Sequence, residues 1–137
     1  MIALLDTGFL YALFDASDAH HEAVTAALDD ITMQLLLPDI VLVELSHLLR
    51  IRLGHRHMRI CLKRLQNGPL ELVHLLPADI DRSIELLDVY ADIQLDFVDA
   101  ALVSIAERLM IEHIFTTDRR DFLIIRPKHT RFFTIHP

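Results

Sequence analysis

The stretch Leu95-Asp96-Phe97-Val98-Asp99-Ala100-Ala101-Leu102-Val103-Ser104-Ile105-Ala106 constrains this chain more than any other. Leu102, Ile105, Ala106 and Leu109 recur at helical spacing, and the alanines allow close packing, so the run reads as a buried helix. It opens on two acids that share one face of the first turn. Asp96 stands where an N-cap belongs and suits the helix dipole. Asp99 lies a turn further in, beside small apolar residues, and is expected to point inward. A buried carboxylate without a partner is costly, so it calls for a cation or a full set of hydrogen bonds. A divalent metal, shared with carboxylates from elsewhere in the chain, meets that need.

The rest of the chain alternates short apolar runs with amphipathic ones. Ile2 to Leu5 has strand length and ends at Asp6, with Thr7 and Gly8 leading into a helix from Phe9 to Phe14. Asp15 to Asp18 form a loop, and a second helix covers Ala19 to Leu28. Gln34 to Leu37 is a second strand, followed by a helix from Pro38 or Asp39 to Arg52 with a stop at Gly54. His55 to Gln66 is a fourth helix, closed by Asn67-Gly68-Pro69. Leu70 to Leu75 is a third strand, and Pro77 opens a fifth helix reaching Tyr90. Ile111 to Phe115 is a strand after the Asp99 helix, Arg119 to Phe122 a turn or short helix, and Arg131 to Ile135 a last strand. Strands alternating with helices predict an α/β fold, with a mostly parallel central sheet and helices on both faces.

With 137 residues and no linker or repeat, the pattern predicts one domain over 1–137. No apolar run has the roughly 18–20 residues of a membrane span. Met1 to Leu5 meets Asp6 too soon, and lacks the basic leader, for a signal peptide. One cysteine, Cys61, excludes an internal disulfide and a cysteine-rich zinc site, and fits a reducing cytoplasm. The hydrophobic share is 53% and mean hydropathy is +0.36, which predicts apolar surface covered by a partner and hence a homodimer. A net charge of -7 argues against a protein that binds nucleic acid over its whole surface.

In a parallel sheet the carboxyl ends of the strands share one rim, so Asp6 and Asp118, each ending a strand, can converge there. Asp99, and Glu44 from a helix with apolar neighbours, can reach the same rim. Converging carboxylates repel one another unless cations lie between them, and an all-oxygen set suits Mg²⁺ or Mn²⁺ rather than zinc. Such ions activate water and stabilise in-line displacement at a phosphodiester. Thr7, Thr116 and Thr117 offer hydroxyls for a metal-bound water or a phosphate. Plainer roles compete. Asp6 and Asp118 can cap the helices that follow them, Glu44 can face solvent, and Asp96 is mainly a cap with a secondary role as an outer ligand. Asp15, Asp18 and Asp121 read as loop or cap residues, and His20, His21 and His74 as ordinary surface or boundary histidines.

Four motifs then carry a resemblance: Leu4-Leu5-Asp6-Thr7-Gly8-Phe9-Leu10, the Glu44 helix, Asp96-Phe97-Val98-Asp99-Ala100, and Thr116-Thr117-Asp118-Arg119-Arg120-Asp121-Phe122. In their order and spacing, across nearly the whole chain, they resemble the PIN domain, and most closely the VapC-like toxins of toxin–antitoxin pairs. The resemblance implies a PIN-like three-layer sandwich and a Mg²⁺- or Mn²⁺-dependent endoribonuclease. It puts the acidic quartet on Asp6, Glu44, Asp99 and Asp118, with Asp96 a variable helper and Thr116 the hydroxyl before the last acid. It also implies a dimer, an RNA substrate and a small antitoxin protein lying across the groove.

From Arg50 to Arg64 the chain carries Arg50, Arg52, Arg56, Arg59, Lys63 and Arg64 and no acid. This local excess suits RNA phosphates or an antitoxin; a solvated helical face is the plainer reading. Arg119, Arg120, Arg126, Lys128 and Arg131 make a weaker second patch. The runner-up function is a non-catalytic PIN-like module that binds RNA or protein. A phosphohydrolase with Asp6 as covalent nucleophile fits poorly, because the second acid expected two residues on is Gly8.

Overall fold

The computed structural model describes residues 1–137. Its strands are β1 (Ile2–Leu5), β2 (Gln34–Pro38), β3 (Glu71–Val73), β4 (His113–Phe115) and β5 (Thr134–His136). Its helices are α1 (Thr7–Phe14), α2 (His21–Asp29), α3 (Asp39–Leu53), α4 (His55–Gln66), α5 (Pro77–Val89), α6 (Phe97–Leu109) and α7 (Arg119–Ile124), with one 3₁₀ turn at Ala91–Ile93. The sheet order is β3-β2-β1-β4-β5 and every neighbouring pair is parallel. The α/β architecture expected from the alternating pattern is therefore present.

The chain steps one way from β1 to β3, then crosses back to β4 and β5. Right-handed crossovers consequently put α1–α4 on one face and α5–α7 on the other. Packing agrees: α1 contacts α2 and α3, α3 contacts α4, and α5 contacts α6. The direction reverses between β1 and β4, and a crevice opens at their carboxyl ends, where α/β sheets place ligands. β1 is central and dry, with Ala3, Leu4 and Leu5 almost wholly buried in a 28-residue core cluster. Phe9 and Phe115 meet edge to face across this junction at 5.2 Å.

Some boundaries moved for identifiable reasons. The first helix starts at Thr7 rather than Phe9, because the Asp6 carboxylate accepts the Thr7 N–H. The third strand shrinks to three residues at the sheet edge. The last strand begins at Thr134 rather than Arg131. Phe133 is buried against Phe122, with rings 6.3 Å apart, so it anchors the loop before the strand. Gly54 does end α3, with φ of 92°, a left-handed conformation that favours glycine.

The α5–α6 contact hides a polar seam. Asp79 is 2% exposed and receives both Arg108 Nε, at 2.9 Å, and Nη2, at 3.0 Å. The same carboxylate accepts the Leu76 N–H, so it also closes the start of α5. Beside it the Ser83 and Ser104 hydroxyls lie 3.0 Å apart, each also within hydrogen-bond distance of a carbonyl of its own helix.

Candidate metal centre

The crevice gathers acids from four separate elements. Asp6 follows β1 and is 5% exposed. Its Oδ1 accepts the Thr7 N–H at 2.7 Å and its Oδ2 the Thr116 hydroxyl at 2.6 Å. Thr116 is wholly buried, and its hydroxyl accepts the Asp118 N–H at 3.0 Å. One hydroxyl therefore links the acid after β1 to the acid after β4. Thr116 is itself fixed from the sheet, since its N–H donates to His136 O of β5 at 3.0 Å. Asp118 precedes α7, but its side chain makes no capping bond, so the plain cap role does not hold for it.

Asp99 projects from the first turn of α6 and is half-buried. Carboxylate oxygens of Asp99, Asp118 and Asp121 all lie within 4.8 Å of one another. Glu44, half-buried on α3, lines the same cavity as Asp6, Asp99 and Asp118, an opening of about 500 Å³. Asp96 lines it too, while its carboxylate caps α6 through the Val98 N–H at 3.3 Å.

Burial pushes Asp6 up to about 6, against the opposing pull of the Thr116 and Thr7 hydrogen bonds, with the Glu44 and Asp118 charges adding to the rise. Asp99 is pushed up to about 8, first by burial and then by the charges of Asp6, Asp96, Asp118 and Asp121. No lysine or arginine is ion-paired to these acids, although Arg52 lines the same cavity. None of the protein's ion pairs involves Asp6, Glu44, Asp99, Asp118 or Asp121. The Thr7 hydroxyl is also buried with no hydrogen-bond partner. Crowded, desolvated, oxygen-only donors with an orphaned hydroxyl beside them fit a hard divalent cation.

Asp121 is the residue that sequence reasoning missed; it was read as a loop or cap acid, yet it belongs to the cluster. The signal was available, because Asp118 and Asp121 stand three apart, as Asp96 and Asp99 do. Asp18 and His20 also line the cavity, although the sequence suggests a loop or cap role for Asp18 and an ordinary surface or boundary place for His20. Gly8 lets α1 close on the β4–α7 loop: a Cβ there would sit 2.5 Å from Thr117 Oγ1, so a larger residue would need the Thr117 side chain to turn aside. Of the predicted arginines, only Arg52 lines the cavity; Arg50, Arg56 and Arg59 are exposed on α3 and α4 away from it.

The bridging hydroxyl has a measurable role. Thr116→Val leaves Asp6 and the Asp118 N–H each short of a bond in a buried place, at a cost of about 1–3 kcal/mol. We expect Thr116→Val to shift the urea midpoint down accordingly, and Thr116→Ser to restore it.

Fold and site together define a small parallel α/β domain with a carboxylate pocket at the switch point of its sheet. The chain belongs to the PIN-domain family, whose model matches residues 3–126. It is 33% identical to Ribonuclease VapC26 of Mycobacterium tuberculosis, over 98% of this chain and 99% of that protein. Among solved structures it resembles Mycobacterium tuberculosis VapC20, described as a sarcin-ricin loop cleaving toxin. That match has a TM-score of 0.79 and 22% identity, and covers 85% of this chain and 89% of that one. It also resembles VapBC2 from Rickettsia felis, solved with a DNA fragment from its promoter, with a TM-score of 0.74 and 16% identity over 100% of both chains.

Proposed function

We propose that this chain is a Mg²⁺- or Mn²⁺-dependent endoribonuclease and the toxin of a toxin–antitoxin pair. The observation that carries the reading is the crowding of Asp6, Asp99, Asp118, Asp121 and Glu44 around one cavity, none of them in an ion pair with a protein cation. The 33% identity to a VapC ribonuclease over almost the full length supports it.

In this reading Asp99, Asp118 and Asp121 hold the metal, with Asp6 and Glu44 beside them and Asp96 at the rim. A bound divalent ion supplies an activated water and charge stabilisation at the phosphorus. The chain's own parts do the rest. Thr116 keeps Asp6 and Asp118 in register. The Thr7 hydroxyl is free to orient a water or a phosphate oxygen. A carboxylate without a protein cation can accept the proton of the attacking water. The exposed arginines Arg50, Arg56 and Arg59 hold more distant RNA phosphates.

An antitoxin partner and a homodimer belong to the same proposal. Leu76, the N-cap of α5, and Ile80 and Ile84 on the helix form an exposed apolar stripe, which suits a second copy. We take residues 1–137 as one PIN-like unit acting in the cytoplasm, which fits the free, buried Cys61; no helix is long and apolar enough to cross a membrane. A non-catalytic module would use the arginines equally well, but it gives the desolvated acids no task.

The test is cleavage of a labelled single-stranded RNA by the purified protein. We expect cuts with Mg²⁺ or Mn²⁺ and none with a chelator. A folded protein that leaves a varied set of RNAs intact in both metals would sink the nuclease reading.

A further inference from the structure

Arg52 is the only lysine or arginine that lines the acidic cavity. It nevertheless forms no ion pair with any of the surrounding carboxylates. Its guanidinium instead lies over the ring of Tyr11, 4.9 Å from the centroid. Tyr11 is a firm platform, being 5% exposed and tied by its hydroxyl to Asp15 at 2.7 Å. The arginine is thus held against Tyr11, close to the Tyr11 hydroxyl and the Asp15 charge, while still lining the cavity.

Spacing along α3 says what its guanidinium can reach. Glu44, Leu48 and Arg52 stand at i, i+4 and i+8, and all three line the cavity. At 1.5 Å per residue, Arg52 lies roughly 12 Å along the helix from Glu44. About two turns of helix thus separate Arg52 from Glu44, an offset that favours a neighbouring linkage of an extended strand over the phosphate cut at the acids. A guanidinium fork matches phosphate oxygens in two-point contact.

We infer that Arg52, backed by Tyr11, grips a backbone phosphate flanking the one cleaved, so the cavity takes an extended oligonucleotide strand rather than a single nucleotide. The inference rests on the nuclease reading above and differs from the general role of the outer arginines in naming one linkage.

The experiment pairs Arg52→Gln with a set of short RNAs, each carrying one neutral methylphosphonate at a different linkage. Arg52 is exposed, so the variant should fold. We expect Arg52→Gln to lower kcat/KM about tenfold on normal RNA, the worth of one charge-assisted contact. One particular neutral linkage, away from the cut, should cost the wild type the same factor and cost Arg52→Gln nothing more. The salt slope of RNA affinity should also fall by about 0.7, one phosphate contact on a single strand. If every neutral linkage penalises the variant as much as the wild type, the inference is overturned. The same cycle is read in binding by fluorescence anisotropy with Ca²⁺ present. A wild type that never cleaves, yet shows the non-additive pair in binding, removes the nuclease reading and keeps the phosphate contact; additivity in binding removes the contact itself.

Discussion

Replacing Asp99 by asparagine is expected to cut metal-dependent RNA cleavage steeply and, in the same variant, to make the metal-free protein more stable at alkaline pH. The first effect follows from position. Asp99 brings the α6 carboxylate to the oxygens of Asp118 and Asp121, and removing its charge weakens the proposed metal grip from the centre. We expect a loss on the order of 10³-fold in kcat, about 4 kcal/mol of transition-state stabilisation. The second effect follows from the raised proton affinity. Asp99 holds its proton to about pH 8 in the folded chain, against an ordinary value of 3.8. Between these values the folded state binds more protons than the unfolded one, so stability falls as pH rises from about 4 to about 8. Asp6, raised to about 6, adds a change of the same sign in the lower part of that window. Thermal melts should therefore show the metal-free wild type losing stability from pH 5 to pH 8 and Mg²⁺ restoring it. Asp99→Asn should lose less over that range and respond weakly to Mg²⁺. A variant whose pH and Mg²⁺ responses match the wild type would show that Asp99 is neither strained nor a ligand.

Arg108→Ala should be the most destabilising single change away from the metal centre. Asp79 is almost fully enclosed between α5 and α6, and Arg108 is its only ionic partner. Deleting the arginine leaves a buried carboxylate without its ionic partner, which costs about 3–5 kcal/mol. Asp79 also accepts the Leu76 N–H, so it cannot swing away without opening the first turn of α5. For a chain of this size that corresponds to a melting temperature lower by about 10–20 °C. The double variant Asp79→Asn with Arg108→Met should recover much of the loss, because no unpaired charge remains. Urea titration of the wild type, Arg108→Ala and the double variant measures the recovery, and equal losses for the single and double variants would refute the argument.

How far the chain could be read from its residues depended on whether the cue was local. Asp6, Glu44, Asp99 and Asp118 each sit at a strand end or among apolar helix neighbours, and each does line the cavity. Asp121 escaped because a short helix beside Phe122 offers every acid a plausible capping role, and only the folded loop turns it toward Asp99. The Asp79–Arg108 pair escaped for another reason: its partners lie 29 residues apart on different helices, and no periodicity links them. The sheet was legible because each strand is a short apolar run, Gly54 marked the α3 stop by its backbone freedom, and Phe133 misled by looking like strand sequence while serving as a core anchor. Arg52 was one of several similar arginines until Tyr11 and the cavity singled it out.

The hydrogen bond from Thr116 to the carbonyl of His136 makes the centre depend on β5, the last strand to be synthesised. Asp6 leaves the ribosome first among these acids, yet its partner hydroxyl is steadied only after residues 134–136 have emerged. Chain growth at about 5–20 residues per second gives the translating ribosome several seconds in which the emerging polypeptide lacks a finished cutting edge. Pairing strands so distant in sequence is also intrinsically slow. The bond that steadies Thr116 is thereby among the late contacts of a growing chain.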